Sequence, residues 1–112
     1  MRILVCGGRD YSDYEWVEAC LNRIAEVEIL IQGGAKGADA LSKRWAISKG
    51  IHYAEVPAFW ESGRGAGPAR NYAMLLLEPK GVVAFPGGKG TAHMVRIAEK
   101  AGIKVWQPGD RK

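Results

Sequence analysis

The chain has 112 residues, 47% of them hydrophobic and 25% charged, with a formal net charge of +4 at neutral pH. That length suits a single domain with its own core and leaves no room for a separate substrate domain, and the composition excludes an intrinsically disordered chain. Lys and Arg are spread along the sequence instead of gathered in a basic arm, so the charge permits anionic partners without singling out nucleic acid.

Arg2 to Cys6 is a short apolar run ended by Gly7-Gly8, which predicts a buried strand opening into a turn. Ser12 or Asp13 can cap a helix in which Trp16, Val17, Cys20, Leu21, Ile24 and Val27 hold helical spacing. Glu28 to Gln32 predicts a second strand, cut by Gly33-Gly34. A second helix starts near Gly37, carries Ala38, Leu41 and Trp45 on one stripe with Ile47 off it, and stops at Gly50. His52 to Val56 predicts a third strand, closed by Pro57. Ala58 to Gly67 has no period and is expected to be a long loop or lid. Pro68 suits a first helical turn, and Ala69 to Leu77 continue a third helix up to Glu78-Pro79. Gly81 to Phe85 predicts a fourth strand. Pro86-Gly87-Gly88-Lys89-Gly90-Thr91 then leads into a helix carrying Met94, Val95, Ala98 and Ala101, Gly102 caps it, and Lys104 to Trp106 gives a fifth strand.

Strands alternating with helices imply an α/β fold: one Rossmann-like domain, mainly parallel, with helices on both faces and ligands at the carboxyl ends of the strands. The fifteen glycines cluster at those ends. Three glycine turns are therefore expected to converge on one rim: Gly7-Gly8-Arg9-Asp10, Gly33 to Gly37, and Pro86 to Thr91. Unpaired amide groups at a helix start, aided by the helix dipole, attract an anion, and phosphate is the expected guest. No GxxxxGK[ST] occurs, and no GxGxxG is followed by an acidic residue at the next strand end, which argues against ATP hydrolysis and dinucleotide dehydrogenation. Cys6 and Cys20 lack any paired spacing and read as small core residues in a reducing compartment. No metal site or cofactor is expected. The longest apolar run is too short to span a bilayer, and a cytoplasmic protein is the expectation.

The ordered motifs GGRDY, GGAKGAD, W…AGPARN…M and FPGGKGTAHM resemble the YspA/YpsA-like branch of the SLOG superfamily, relatives of the LOG phosphoribohydrolases and of the DprA fold. The resemblance spans nearly the whole chain. It implies a Rossmann-like domain that binds nucleotides or nucleotide-derived molecules in a sensing, sequestering or processing role. The LOG enzymes imply a sharper alternative, hydrolysis of the N-glycosidic bond of a nucleoside 5′-monophosphate or an ADP-ribose-like molecule. Their signature pairs an Arg before the PGGxGT turn with a Glu after it; here Arg70 matches the first, but His93 and Met94 occupy the positions expected for the Glu. Glycosidic cleavage passes through an oxocarbenium-like state that a carboxylate stabilises. His93 can act as acid or base yet supplies no negative charge. Single-stranded nucleic-acid binding, by analogy with the DprA fold, is a third alternative.

Residue by residue, Pro86, Gly87, Gly88, Gly90 and Thr91 are candidate phosphate-cradle residues, with the Thr91 hydroxyl as ligand donor or helix cap and Lys89 as a neutralising charge. Gly34, Ala35, Lys36 and Gly37 form a second candidate cradle, with Asp39 as helix cap or ribose-hydroxyl ligand. Gly7, Gly8 and Arg9 stand on the same rim, where Arg9 and Asp10 form either a surface pair or a ligand contact. Arg70 falls in the expected first turn of the third helix, where the dipole opposes a cation and a bound anion would remove the conflict; Asn71 beside it can read a ribose or base edge. Trp60 either covers a base or folds back on the core, and Glu61 next to it is the candidate substitute carboxylate. Arg70, Glu61, Asp39 and His93 are thus the catalytic candidates. Trp16, Trp45 and Trp106 read as core. The run Met74 to Leu77 is apolar around the whole helix, which suggests a second buried face and a homodimer.

Overall fold

The computed structural model describes residues 1–111. Its elements are β1 (Arg2–Cys6), α1 (Tyr14–Leu21), β2 (Ile29–Gln32), α2 (Ala38–Lys49), β3 (His52–Glu55), a 3₁₀ turn (Trp60–Ser62), α3 (Ala66–Leu75), β4 (Gly81–Ala84), α4 (Lys89–Lys100) and β5 (Lys104–Trp106). The five strands form one sheet in the order β3-β2-β1-β4-β5, and every pairing is parallel. This is the expected Rossmann-like α/β domain, with the strand order reversing between β1 and β4.

Period-two alternation in β1 divides the core. Ile3 and Val5 pack with Val17, Leu21, Trp45 and Phe85 under α1 and α2, while Leu4 and Cys6 pack with Met74, Met94 and Ile97 under α3 and α4. Both cysteines are buried free thiols, as their reading as core residues expects. Burial pushes the Cys6 thiol up to about 12.

Several element boundaries differ from the periodic reading. The first helix ends at Leu21, because the next amides make the shorter bonds Arg23 N to Cys20 O and Ile24 N to Leu21 O; Ile24 and Val27 still pack on the core from the following turn. Asp13 is its cap, accepting from Trp16 N at 3.2 Å. The third helix begins at Ala66, ahead of Pro68, which tolerates that position because the first four helical amides need no intrahelical acceptor. What looked like a structureless loop over Ala58 to Gly67 therefore holds the 3₁₀ turn and the first residues of α3. Arg70 consequently lies in the second turn of α3, and the dipole conflict argued for it does not arise. Trp45 is core at 3% exposed, whereas Trp16 and Trp106 are only half-buried, Trp16 donating to Gly109 O and Trp106 lying under the Arg23 guanidinium. Met74 is buried, but Leu76 is 81% exposed, so the apolar run does not bury its full circumference within the chain. Among the described residues no helix is long and apolar enough to cross a membrane.

Candidate functional site

The sheet topology brings the three glycine turns into direct backbone contact. Gly8 N donates to Pro86 O at 2.8 Å, joining the turns after β1 and β4, and Ala38 N donates to Gly8 O at 3.1 Å, joining α2 to the first turn. Two glycines are required by this closeness. Gly37 has a φ of 74°, and a Cβ there would fall on the carbonyl oxygens of Gly8 and Arg9. A Cβ on Gly87 would lie 2.7 Å from Gly8 N and on the Thr91 hydroxyl.

Above this rim opens a cavity of about 600 Å³, within the range of small-molecule sites. From the β1 turn it is lined by Gly7, Gly8 and Arg9, and from the β2 turn by Gly34, Ala35, Lys36 and Asp39. Trp60 and, from α3, Arg70 and Asn71 form a further wall, and Gly88, Lys89, Gly90 and Thr91 close it from α4. Fourteen of the expected site residues thus meet in one place. Gly37 lies in the rim beneath. Pro86 and Gly87 line a separate hollow on the other side of the β4 turn, with Gly88 and Thr91 common to both. His93 lines a smaller adjoining hollow, and Glu61, exposed on the 3₁₀ turn, lines none of the three. Arg9 and Asp10 form no ion pair with each other among the described residues.

The two candidate cradles differ in their backbone donors. In the β2 turn, Gly33 N and Ala35 N both donate to Asp39 Oδ2 at 3.2 Å, and Gly34 N donates to Gln32 Oε1 at 2.5 Å. With Ala38 N bound to Gly8 O, the amides of Gly33, Gly34, Ala35 and Ala38 are satisfied within the protein, while those of Lys36 and Gly37 have no acceptor among the described residues. At the start of α4 the first amide with a helical acceptor is Ala92 N, bonded to Gly88 O at 3.0 Å. The N–H groups of Gly88, Lys89, Gly90 and Thr91 have no acceptor among the described residues, and the cap residue is a glycine without a side chain to offer. Thr91, inside the first turn, does not cap the helix.

Asp39 therefore acts as a staple for its own loop. Burial raises its carboxyl pKa, opposed by the Ala35 amide and the Arg70 guanidinium. Arg70 donates from Nη1 to Gly33 O at 2.8 Å, so Asp39 and Arg70 bracket one residue, one taking its N–H and the other its C=O. Arg70 Nε also donates to Asn71 Oδ1 at 3.2 Å, and Asn71 Nδ2 reaches Gly90 O at 3.2 Å and His93 Nδ1 at 3.0 Å. A continuous polar chain thus runs from the end of β2 through α3 to the start of α4. Burial, and secondarily Arg96, lowers the His93 pKa.

Sequence reasoning did not single out Cys6, Pro57, Ala58 and Met74 as site residues, although they also line the cavity, nor Gln32, which shapes the second turn. Gln32 is fully buried, its Nε2 donating to Glu55 Oε1 at 2.8 Å, and that bond holds the Glu55 carboxyl below its usual range. A lone amide ending an apolar strand just before two glycines was the available signal.

Fold and site together define a Rossmann-like α/β domain with a cationic cavity at its topological switch point. The chain matches the model of the YspA, cpYpsA-related SLOG family over residues 1–63, which takes in the first two glycine turns. It is also 33% identical over 126 aligned positions to the Gene 61 protein of Mycobacterium phage D29, an alignment covering 98% of each chain. No solved structure matches it. The chain belongs to the YspA, cpYpsA-related SLOG family.

Proposed function

We propose that this protein binds a phosphorylated nucleotide or nucleotide-derived ligand in the rim cavity, as a sensing, sequestering or processing protein. The observation that carries this reading is the row of four amides from Gly88 to Thr91, without protein acceptors, at the start of α4 and in the cavity wall. Arg9, Lys36, Arg70 and Lys89 line the same cavity against one carboxylate, Asp39, a balance that suits an anion. Membership of a SLOG family points to nucleotide-related ligands as well.

Thermal unfolding in the presence of nucleoside monophosphates, ADP-ribose and the matching unphosphorylated nucleosides tests it. A site-specific ligand at a hundredfold excess over its Kd stabilises the fold by about 2.7 kcal/mol, a readily measured shift. Phosphorylated compounds should shift the transition and nucleosides should not. Equal shifts from both, or none, would refute the reading.

A hydrolytic role is a second reading, favoured by Asp39 alone among the catalytic candidates that are carboxylates. It lines the cavity, and burial moves its pKa toward the range of a general acid or base. Release of ribose 5-phosphate from a nucleoside 5′-monophosphate is the assay, and an Asp39→Asn protein that turns over as fast as the parent would remove this reading.

A further inference from the structure

Beside the main cavity lies a smaller hollow of about 300 Å³, between the 3₁₀ turn, α3 and the start of α4. It shares Trp60, Arg70, Asn71, Lys89 and Gly90 with the main cavity and adds Gly67, Pro68 and His93. Trp60 is 59% exposed although it is the largest side chain of the site, so much of its ring faces solvent. Its ring edge lies 3.6 Å from where a Cβ of Gly67 would stand, an ordinary packing distance that places the indole against the start of α3.

On the opposite wall, His93 meets Tyr72 edge to face, with ring centroids 5.5 Å apart. Asn71 fixes its tautomer. The Asn71 oxygen accepts from Arg70 Nε, which leaves its NH₂ group to donate to Gly90 O and His93 Nδ1. His93 Nδ1 is therefore an acceptor, and the ring proton is on Nε2, which has no protein partner among the described residues. The charged groups nearby are Arg96 on its own helix, Lys89 at the start of that helix and Arg70 on α3. His93 makes no ion pair with a carboxylate among the described residues, so nothing draws the ring toward its charged form.

We propose that this hollow is the subsite for a planar heterocycle, with Trp60 stacking on its face and His93 Nε2–H donating to an acceptor on its edge. The choice of a nucleotide as ligand rests on the phosphoryl reading of the main cavity, since Lys89 and Gly90 belong both to the amide row and to this hollow. A ligand with its phosphoryl group on the amides has its flat end beside Trp60. Asn71, whose polar atoms are all engaged within the protein, is then a positioning residue, holding Arg70 and the His93 tautomer in place.

Calorimetric titration of the full chain with the four common nucleoside 5′-monophosphates, their unphosphorylated nucleosides and ribose 5-phosphate tests this. At least one nucleotide should bind on the order of 10- to 100-fold more tightly than ribose 5-phosphate, the range expected of one stacked base. Trp60→Ala, at an exposed site, should cut that preference to near unity. His93→Ala should reduce the preference severalfold and His93→Gln should restore part of it. Nitrogen NMR should show His93 protonated at Nε2, and a mixture of tautomers in Asn71→Leu. An unchanged preference in Trp60→Ala overturns the subsite, as does a parent protein that binds ribose 5-phosphate and all four nucleotides equally. If nucleosides bind as tightly as nucleotides and Trp60→Ala abolishes both, the subsite stands and the phosphoryl reading fails.

Discussion

Two substitutions at Asp39 separate the hydrogen bonds that the carboxylate makes from the cost of burying its charge. Oδ2 accepts from Gly33 N and Ala35 N, and Asp39 is 7% exposed. In Asp39→Ala both amides lose their acceptor. Gly33 is buried, so its orphaned N–H costs about 1–3 kcal/mol, and half-buried Ala35 adds a smaller amount because water can reach it, for about 2–4 kcal/mol in all. At about 4 °C per kcal/mol for a domain of this size, Tm should fall by about 8–16 °C. In Asp39→Asn the side-chain oxygen replaces Oδ2 and the buried charge disappears, so Tm should stay within about 4 °C of the parent. The pH dependence has a definite sign. The fold raises this carboxyl above its ordinary 3.8, so the folded state holds the proton longer than the unfolded one. The parent therefore loses stability as pH rises from 3.8 through the folded value, and Asn does not. The difference between Asn and parent should grow in favour of Asn across that window and then level off. Thermal unfolding followed by circular dichroism between about pH 3.5 and 7 measures all of this. An Ala variant as stable as the parent, or an Asn variant that falls as far as Ala, would refute the staple.

Gly87→Ala should destabilise the fold by about 1–3 kcal/mol and abolish any nucleotide-induced shift, because its Cβ would press on Gly8 N and Thr91 and break the joint between the β1 and β4 turns; a normal melt with a normal shift would refute this. Native Cys6 should resist iodoacetamide at pH 8, since burial pushes its thiol up to about 12, and should react once the chain is unfolded; mass spectrometry of the labelled protein reads both. His93 should titrate below its ordinary 6.5 by NMR, and Asn71→Asp should raise that midpoint, because a carboxylate accepts from a protonated Nδ1 where the amide NH₂ does not. A His held below its unfolded pKa contributes stability above 6.5 that is lost as pH falls from there to the folded value, so His93→Gln should flatten the acid limb of the stability profile in that window.

The sheet and its rim were legible because their signals are local. Alternation of Ile3 and Val5 against Leu4 and Cys6 serves two helical layers, and each glycine pair falls where a strand ends. The strand order was not legible, because the partner of β1 is chosen by packing across the chain. Nor was the role of Asp39, which depends on where the amides of its loop fold back, a matter that residue type in a first helical turn leaves open. Arg70 was expected at the site both from its match to the LOG signature and through a dipole conflict that an earlier helix start removes; it reaches the cavity because the second turn of α3 faces Gly33 O. Glu61 was singled out by adjacency to Trp60, but successive side chains on a 3₁₀ turn point about 120° apart, so facing the indole into the cavity turns the carboxylate away.

The central place of β1 bears on the order in which the molecule assembles. Its Arg2–Leu4 edge finds Ile29–Ile31 after one helical crossover, but its other edge waits for Gly81–Ala84. A chain folding from its N-terminus therefore holds Gly7-Gly8 as an unfinished loop until late, with no Pro86 carbonyl to anchor it and no α4 above Leu4 and Cys6. Pairing of β1 with β4 spans the longest sequence separation in the sheet, the kind of closure whose entropy cost slows folding. A ligand held by the amide row of α4 needs the cavity that this closure completes, so it is expected to slow unfolding and to leave the folding rate unchanged, which stopped-flow refolding and unfolding with and without ligand would read.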